Sequence, residues 1–259
     1  MSHFTRPSRR LAASILALFA LAAGMTFLAS ACGSDSPTAA KAAVIDAGDG
    51  GKYAPVLDPK NFVPVITNPY LPLTPGSRWV YQSADGKERT EVVVQRETVV
   101  ILGITATVVR DTVTVDGVLA EDTFDWFAQD KEGNVWYLGE DVKNYKDGKV
   151  VDNAGSWKAG VKGAHPGYAM LGKPGVGRAY RQEFFKGEAE DLARVIAIDG
   201  KQTVKFGAFE SLVVTKEWTP LEAANIENKY YASGVGMVLE LKVAGGSGRA
   251  ELVSYEPGK

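Results

Sequence analysis

The sequence predicts an all-β fold: antiparallel strands in two duplicated meanders that form a curved sheet, an open barrel or a face-to-face sandwich. Three observations predict it. β-Branched runs recur, such as Thr90-Glu91-Val92-Val93-Val94 and Ala106-Thr107-Val108-Val109-Arg110, and such residues suit a pleated, half-buried surface. Asp-Gly pairs at 85–86, 116–117, 147–148 and 199–200 stand between strand-like runs, and Asp-Gly is the pair that a tight type I′ hairpin selects. Finally, the body repeats itself. Long helical periodicity is almost absent; residues 189–196 could make a short helix, but strand is the better reading there.

Taken in order, the elements begin with residues 1–31, which are built like a secretory leader. Arg6, Arg9 and Arg10 precede an apolar stretch from Leu11 to Leu28, and Ala29-Ser30-Ala31 supplies small residues of the kind a signal peptidase requires. Cys32, the chain's single cysteine, follows at once. The segment resembles a bacterial lipoprotein signal, in which the cysteine thiol receives a diacylglycerol, with palmitate a typical further acyl group. Ala29 stands where the usual pattern has Leu, with Leu28 one step earlier. A simple cleaved leader and an uncleaved membrane anchor are the alternatives. The apolar run approaches the ~20 residues of a spanning helix, but Gly33-Ser34-Asp35-Ser36-Pro37 follows it rather than a basic stop-transfer cluster. Arg9-Arg10 also raises a twin-arginine export route.

Residues 32–60 read as the lipidated cysteine and a flexible tether rich in Ala, Gly, Ser, Pro and Asp. The β-domain occupies 61–259. Its first repeat, about 74–142, opens with Gly76-Ser77-Arg78-Trp79-Val80-Tyr81. The second, about 177–256, opens with Gly177-Arg178-Ala179-Tyr180-Arg181-Gln182. Gly103 answers to Gly207, and Thr123-Phe124-Asp125-Trp126-Phe127-Ala128 to Glu227-Asn228-Lys229-Tyr230-Tyr231-Ala232. Gly133-Asn134-Val135-Trp136 answers to Gly236-Met237-Val238-Leu239. Residues 143–176 between the repeats are an irregular Gly/Pro-rich connection. A loop of this length carries function or covers a sheet. Closure or face packing is expected, because long open edges invite aggregation.

Tyr230-Tyr231-Ala232-Ser233-Gly234-Val235-Gly236-Met237-Val238 resembles an aromatic-Ala-x-Gly-Val-Gly-x-Val signature of bacterial periplasmic and lipoprotein β-domains. Asp125-Trp126-Phe127-Ala128, with Gly133-Asn134-Val135-Trp136-Tyr137, looks like the same element in the first repeat. The whole body resembles an uncharacterised bacterial lipoprotein family with a duplicated β-meander. The resemblance implies the fold and an envelope address, and implies no activity.

Composition narrows the chemistry. Lys+Arg number 29 against 31 Asp+Glu, and the leader takes away three arginines and no acid. The remaining acidic body lacks the basic footprint of a nucleic-acid binder. With Cys32 committed to lipid, disulfides, cysteine zinc sites and cysteine nucleophiles are excluded from the body. Of two histidines, His3 lies in the leader, so a His-based triad would have to use His165. No cofactor motif is present: Gly172-Lys173-Pro174-Gly175-Val176-Gly177 has Pro inside and lacks the Ser/Thr of a P-loop.

Two groups remain as candidates. The acids Glu121, Asp122, Asp125, Asp130, Glu132, Glu140 and Asp141 could hold calcium or form a hydrolase pair; the simpler reading is a hairpin with solvated acids. The aromatics Trp126, Trp136, Tyr137 and Tyr230 could bind a lipid, sugar or peptide ligand, or fill a half-buried sheet. Adjacent strand residues face opposite sides, so Trp126 and Phe127, like Tyr230 and Tyr231, divide between the two faces. The expected function is non-catalytic: a lipid-anchored extracytoplasmic β-domain at the cell envelope that binds a ligand or partner. A scaffold without a small-molecule pocket and a carboxylate- or metal-dependent hydrolase are the alternatives.

Overall fold

The computed structural model describes residues 53–259. The leader, Cys32 and the tether to residue 52 lie outside them. The described chain is all-β, and its strands make one antiparallel sheet that is nearly closed and barrel-shaped, with one open seam.

A short strand β1 (Phe62–Val63) precedes the first long run: β2 (Arg78–Ser83), β3 (Glu88–Ile101), β4 (Ile104–Val115), β5 (Val118–Asp130) and β6 (Val135–Lys146). These pair in sequence order as a meander. Three short strands follow: β7 (Lys149–Asp152), β8 (Trp157–Lys158) and β9 (His165–Met170). All three pair with β6. Residues 143–176, which the composition suggested as an irregular connection, thus carry three short strands that join the sheet, with irregular stretches between them. Gly148, Gly160 and Gly163 mark corners between these strands, whereas Pro166 and Gly167 lie within β9.

The chain then passes through β10 (Ala179–Arg181) and β11 (Glu183–Phe184) into β12 (Leu192–Val204), β13 (Gly207–Trp218), β14 (Ile226–Ala232), β15 (Gly236–Ala244) and β16 (Gly248–Glu256). β16 pairs with β2, which joins the second run to the first. At the other end, β10 pairs with β12 and β11 with β9. The single stretch Ala179–Phe184 thus has one run of strands on each side, and the seam lies along it.

The turn chemistry accounts for the hairpins. Asp116 (φ 50°) and Gly117 (φ 79°) both take the left-handed conformation of a type I′ turn, as do Asp147 and Gly148. Asp199-Gly200 departs from the expected turn: it lies inside β12 at a bulge opposite Leu212, and the chain reverses later, between Val204 and Gly207. Burial explains this, since β12 and β13 must extend that far for Val204 to reach the core. Gly103 sits in the β3–β4 turn, whereas Gly207 opens β13, so these two glycines do not occupy matching places.

Other features of the two runs do match. The Gly76 N–H donates to Val94 O (2.9 Å) and the Val94 N–H donates to Ser77 O (3.0 Å). In the second run, Gly177 N–H donates to Val195 O (2.8 Å) and Val195 N–H to Arg178 O (2.8 Å). Each run also carries a bulge where its aromatic pair meets the next strand, between Trp126 and Phe127 and between Tyr230 and Tyr231.

Gly139 shows what that bulge requires. Its φ is +130°, and a Cβ there would fall against the Trp157 carbonyl and 2.8 Å from Lys158 Cα. Neither backbone can retreat without breaking the β6–β8 pairing. Gly139→Ala is expected to cost more than about 2 kcal/mol, read as a lowered urea midpoint; a loss below about 0.5 kcal/mol would show that β8 is free to move.

The core runs through both halves. Trp79, Tyr81, Val92, Val94, Val109, Phe127 and Leu138 pack with Val195, Val213, Val238 and Leu252. The Gly-Val-Gly signature is tied into this core. The Trp79 indole Nε1 donates to Val235 O (2.7 Å), and the Tyr81 hydroxyl donates to Met237 O (2.9 Å). The second run is thereby pinned to the first strand of the long meander.

Candidate functional site

Strand register predicts where side chains meet, and it gathers charged groups where apolar ones are expected. Across the first run, Val94, Val109, Asp125, Glu140 and Trp157 stand side by side on successive strands. Across the second, Val195, Thr215, Lys229, Glu240, Ala250 and Ser83 do the same. Each row starts on valine and carries ionisable groups in the middle, all of them buried.

In the first row, Asp125 is 0% exposed and Glu140 1%. The Tyr137 hydroxyl donates to Asp125 Oδ1 (2.7 Å), and its ring stacks on Phe127. Burial, reinforced by the charge of Glu140, raises the Asp125 carboxyl well above its ordinary range despite that hydrogen bond. Glu183 belongs to the same cluster from β11. Burial comes first and the neighbouring Asp191 and Glu140 second in pushing its carboxyl up, while the Trp157 indole opposes the shift. Removal from water penalises the charged form of such carboxyls and favours the protonated one.

The second row is ionic. Lys229 Nζ lies 2.9 Å from Glu217 Oε2 and 3.7 Å from Glu240 Oε2. Glu217 also accepts from the Thr215 hydroxyl (2.7 Å), the Tyr231 hydroxyl (3.2 Å) and Gln182 Nε2 (3.3 Å). Burial would lower the Lys229 pKa, but Glu217 and Glu240 outweigh it and hold the ammonium in its charged form. Asp191 is pushed up to about 8 by burial, against the pull of Lys229 and Thr219. The arrangement is a buried cation paired with a carboxylate that is itself hydrogen-bonded on several sides, the form in which an interior ion pair is tolerated.

Asp125 and Glu140 are therefore not the solvated hairpin acids that the sequence suggested. They face inward because strand alternation puts them in phase with Thr123 and Val142, which are buried too. The acids nearer the turn behave differently. Asp130 Oδ1 accepts the backbone N–H groups of Glu132 and Asn134, and Oδ2 accepts Asn134 Nδ2 and Trp136 Nε1, all at 2.9 Å. That carboxylate is filled by N–H donors and shapes the hairpin as an Asx turn does. Among the described residues no group of three His, Cys, Asp or Glu side chains is placed to hold a metal ion.

The candidate aromatics do not form one site. Trp136 lies opposite Ala128, against Phe62 and Tyr168, with its indole on Asp130. Tyr137, the next residue, points the other way into the Asp125 cluster. Trp126 is half-buried, with Lys158 Nζ 5.5 Å from its ring centre. Tyr230 sits on β14, separated from β5 by five strands of the sheet. Of the four, Trp126 and Tyr230 retain an accessible surface. His165 stacks on Phe184 at 6.2 Å and meets the edge of Tyr53.

The residues that sequence reasoning missed are Glu183, Asp191, Glu217, Lys229 and Glu240. A signal for some of them exists: Glu217 alternates in phase with Val213 and Thr215, and Lys229 with Tyr231. A charge in phase with the apolar face of a strand is either an error of phase or a buried pair.

The fold and these clusters define a class: an all-β, barrel-shaped sheet whose apolar core carries buried ionisable groups. No family model matches the chain, and no curated protein matches it. Among solved structures, it is similar to a Bacteroides fragilis protein described as exported and of YmcC-like fold. The identity is 15%, the likeness covers 73% of this chain and 99% of that one, and the TM-score is 0.41. It is also similar to a Parabacteroides distasonis protein described as a lipoprotein, at 13% identity, 72% and 98% coverage and a TM-score of 0.35. Both scores are too low to carry an argument about function.

Proposed function

We propose that this chain is a lipid-anchored extracytoplasmic β-domain that works at the bacterial cell envelope by binding a ligand or partner, without catalysis. The observation that carries the reading is the position of Cys32, the single cysteine, directly after a basic and apolar leader and ahead of a folded body described from Tyr53. A diacylglycerol and a further acyl chain on that thiol anchor firmly, where one chain would bind marginally.

The interior supports the non-catalytic part. Asp125, Glu140 and Glu183 are each no more than 1% exposed, so a substrate does not reach them in this conformation. Lys229 is engaged by Glu217 and Glu240. These groups hold the sheet together. A lipid, sugar or peptide ligand would meet the outer face at Trp126, while Trp136 is closed off by Phe62 and Tyr168 and Tyr137 is turned inward; Tyr230 offers a separate contact on the other half.

Cys32→Ser is expected to abolish incorporation of labelled palmitate and to move the protein from the membrane to the soluble fraction. Retained label and membrane attachment in that variant would overturn the anchor. Native mass spectrometry of the unlipidated body tests the binding part. A co-purifying mass lost in Trp126→Ala supports it; a ligand held equally well by that variant places the site elsewhere.

A further inference from the structure

We propose that Tyr53, where the tether joins the body, is a latch that holds the barrel seam closed over Arg181. The seam lies along Ala179–Phe184, whose first half pairs with β12 and whose second half pairs with β9. Where β9 crosses from one partner to the next, Gly167 packs on the carbonyl of Arg181, and any side chain at that position would strike it. The contact is close but short, since β11 contributes two residues to its pairing with β9. A sheet closed by so few pairs opens there before it opens elsewhere.

Tyr53 bridges that place from outside the sheet. Its hydroxyl donates to Pro166 O on β9 (2.9 Å), and its ring meets the edge of Phe184 on β11 at 6.2 Å and of His165 on β9 at 6.5 Å. One residue therefore touches both strands that the seam must keep together. Beneath it, the Arg181 guanidinium lies 5.6 Å from the Tyr53 ring centre and 4.6 Å from that of Phe184. Arg181 is 2% exposed, which is unusual for an arginine at the margin of a sheet. Tyr53 supplies one of its two aromatic covers.

Tyr53 belongs to no strand, and residues 53–58 have no ladder pairing. A pull on that segment would act on the hydroxyl bond and the ring contacts first, freeing β9 from β11 while the long hairpins stay paired. The link to the membrane rests on the lipoprotein reading; the latch does not.

The test is arginine modification by phenylglyoxal, followed peptide by peptide on the full chain, with hydrogen exchange read on β9 and β11. In the parent protein Arg181 is expected to be protected. In Tyr53→Ala its modification should accelerate on the order of ten- to a hundredfold, the scale of losing a hydrogen bond together with a cation–π contact. Exchange should rise in 165–170 and 179–184 while β3, β4 and β13 are unchanged. Tyr53→Phe, which keeps the ring and loses the hydroxyl, should fall between. Equal protection of Arg181 in all three proteins would overturn the latch. So would exchange that rises across every strand of Tyr53→Ala, because the contact would then be part of the global fold. Palmitate labelling of Cys32 reads the anchor separately, so failure of one does not mimic failure of the other.

Discussion

Replacing Lys229 by methionine is expected to destabilise the protein by about 3–5 kcal/mol at pH 7, the usual cost of removing one partner from a buried ion pair. Methionine fills much of the lysine volume, so the loss reports charge rather than a cavity. Lys229 is 4% exposed, and it is the cation that both Glu217 and Glu240 approach. Without it, Glu217 keeps its bonds from Thr215, Tyr231 and Gln182, but its charge is left in a dry interior. A companion measurement makes the result specific: adding Glu217→Gln should recover a large part of the deficit. Urea unfolding of the single and double variants checks this. A cost below about 1 kcal/mol, or no recovery in the double variant, would show that the cluster is solvated in solution.

The second large effect is a stability that falls as the pH rises from 5 to 8. Burial places the carboxyls of Asp125 and Glu183 well above their ordinary range, and Asp191 at about 8. In the unfolded chain such groups titrate near pH ~4. Between the two values the folded state holds protons that the unfolded state has released. The stability slope with pH is therefore negative, about 1.4 kcal/mol per unit for each such group. The contribution is complete below pH ~4 and is lost as the pH rises through the folded values. Glu91 works in the opposite sense, since its hydrogen bonds to Arg78 and Arg89 pull its carboxyl down; that stability is lost only as the pH falls below the carboxylate range, outside the window. The thermal midpoint should be higher at pH 5 than at pH 8. Glu183→Gln, which keeps shape and removes ionisation, should stabilise more at pH 8 than at pH 5, by about 1–4 kcal/mol. A midpoint that climbs from pH 5 to 8 would sink the upward shift assigned to these carboxyls.

Much of the fold was legible from local chemistry. The Asp116-Gly117 and Asp147-Gly148 turns form where the residue types demand them, and the β-branched runs became β3 and β4. The division of Trp126 from Phe127 and of Tyr230 from Tyr231 followed from the two-residue period of a strand, and Phe127 and Tyr231 are the buried members. The misreadings share a cause. Asp199-Gly200 looks like a turn, but a bulge accepts the same residues, and only the position of Leu212 on the facing strand shows which one forms. Asp125 and Glu140 look solvated because they sit in an acid-rich stretch. Their burial depends on the interior they face, where Glu183 approaches from β11, and nothing near them in the chain reports that approach.

The candidate site divides along the same line. An aromatic on a strand has a face that sequence can assign by phase, but whether that face is open depends on what lies over it. Trp136 is closed off by Phe62 and Tyr168, which come from opposite sides of it in the chain. The Lys229 cluster draws on β13, β14 and β15 and on Gln182 beside β10, a convergence set by register across the sheet.

The amino-acid sequence alone determined the all-β class, the order of the hairpins, the leader-like segment with Cys32 behind it, and a body with one histidine and no thiol. These are properties of composition and of contacts between near neighbours, where turn preference and strand alternation act. The tertiary structure decided that the two runs join through β16 and β2 and almost close through Ala179–Phe184, and that the closure carries a lysine and several acids inside. Closure is a long-range event: the strands that meet are far apart in the chain, so the groups that meet with them could be named only once the sheet had curved.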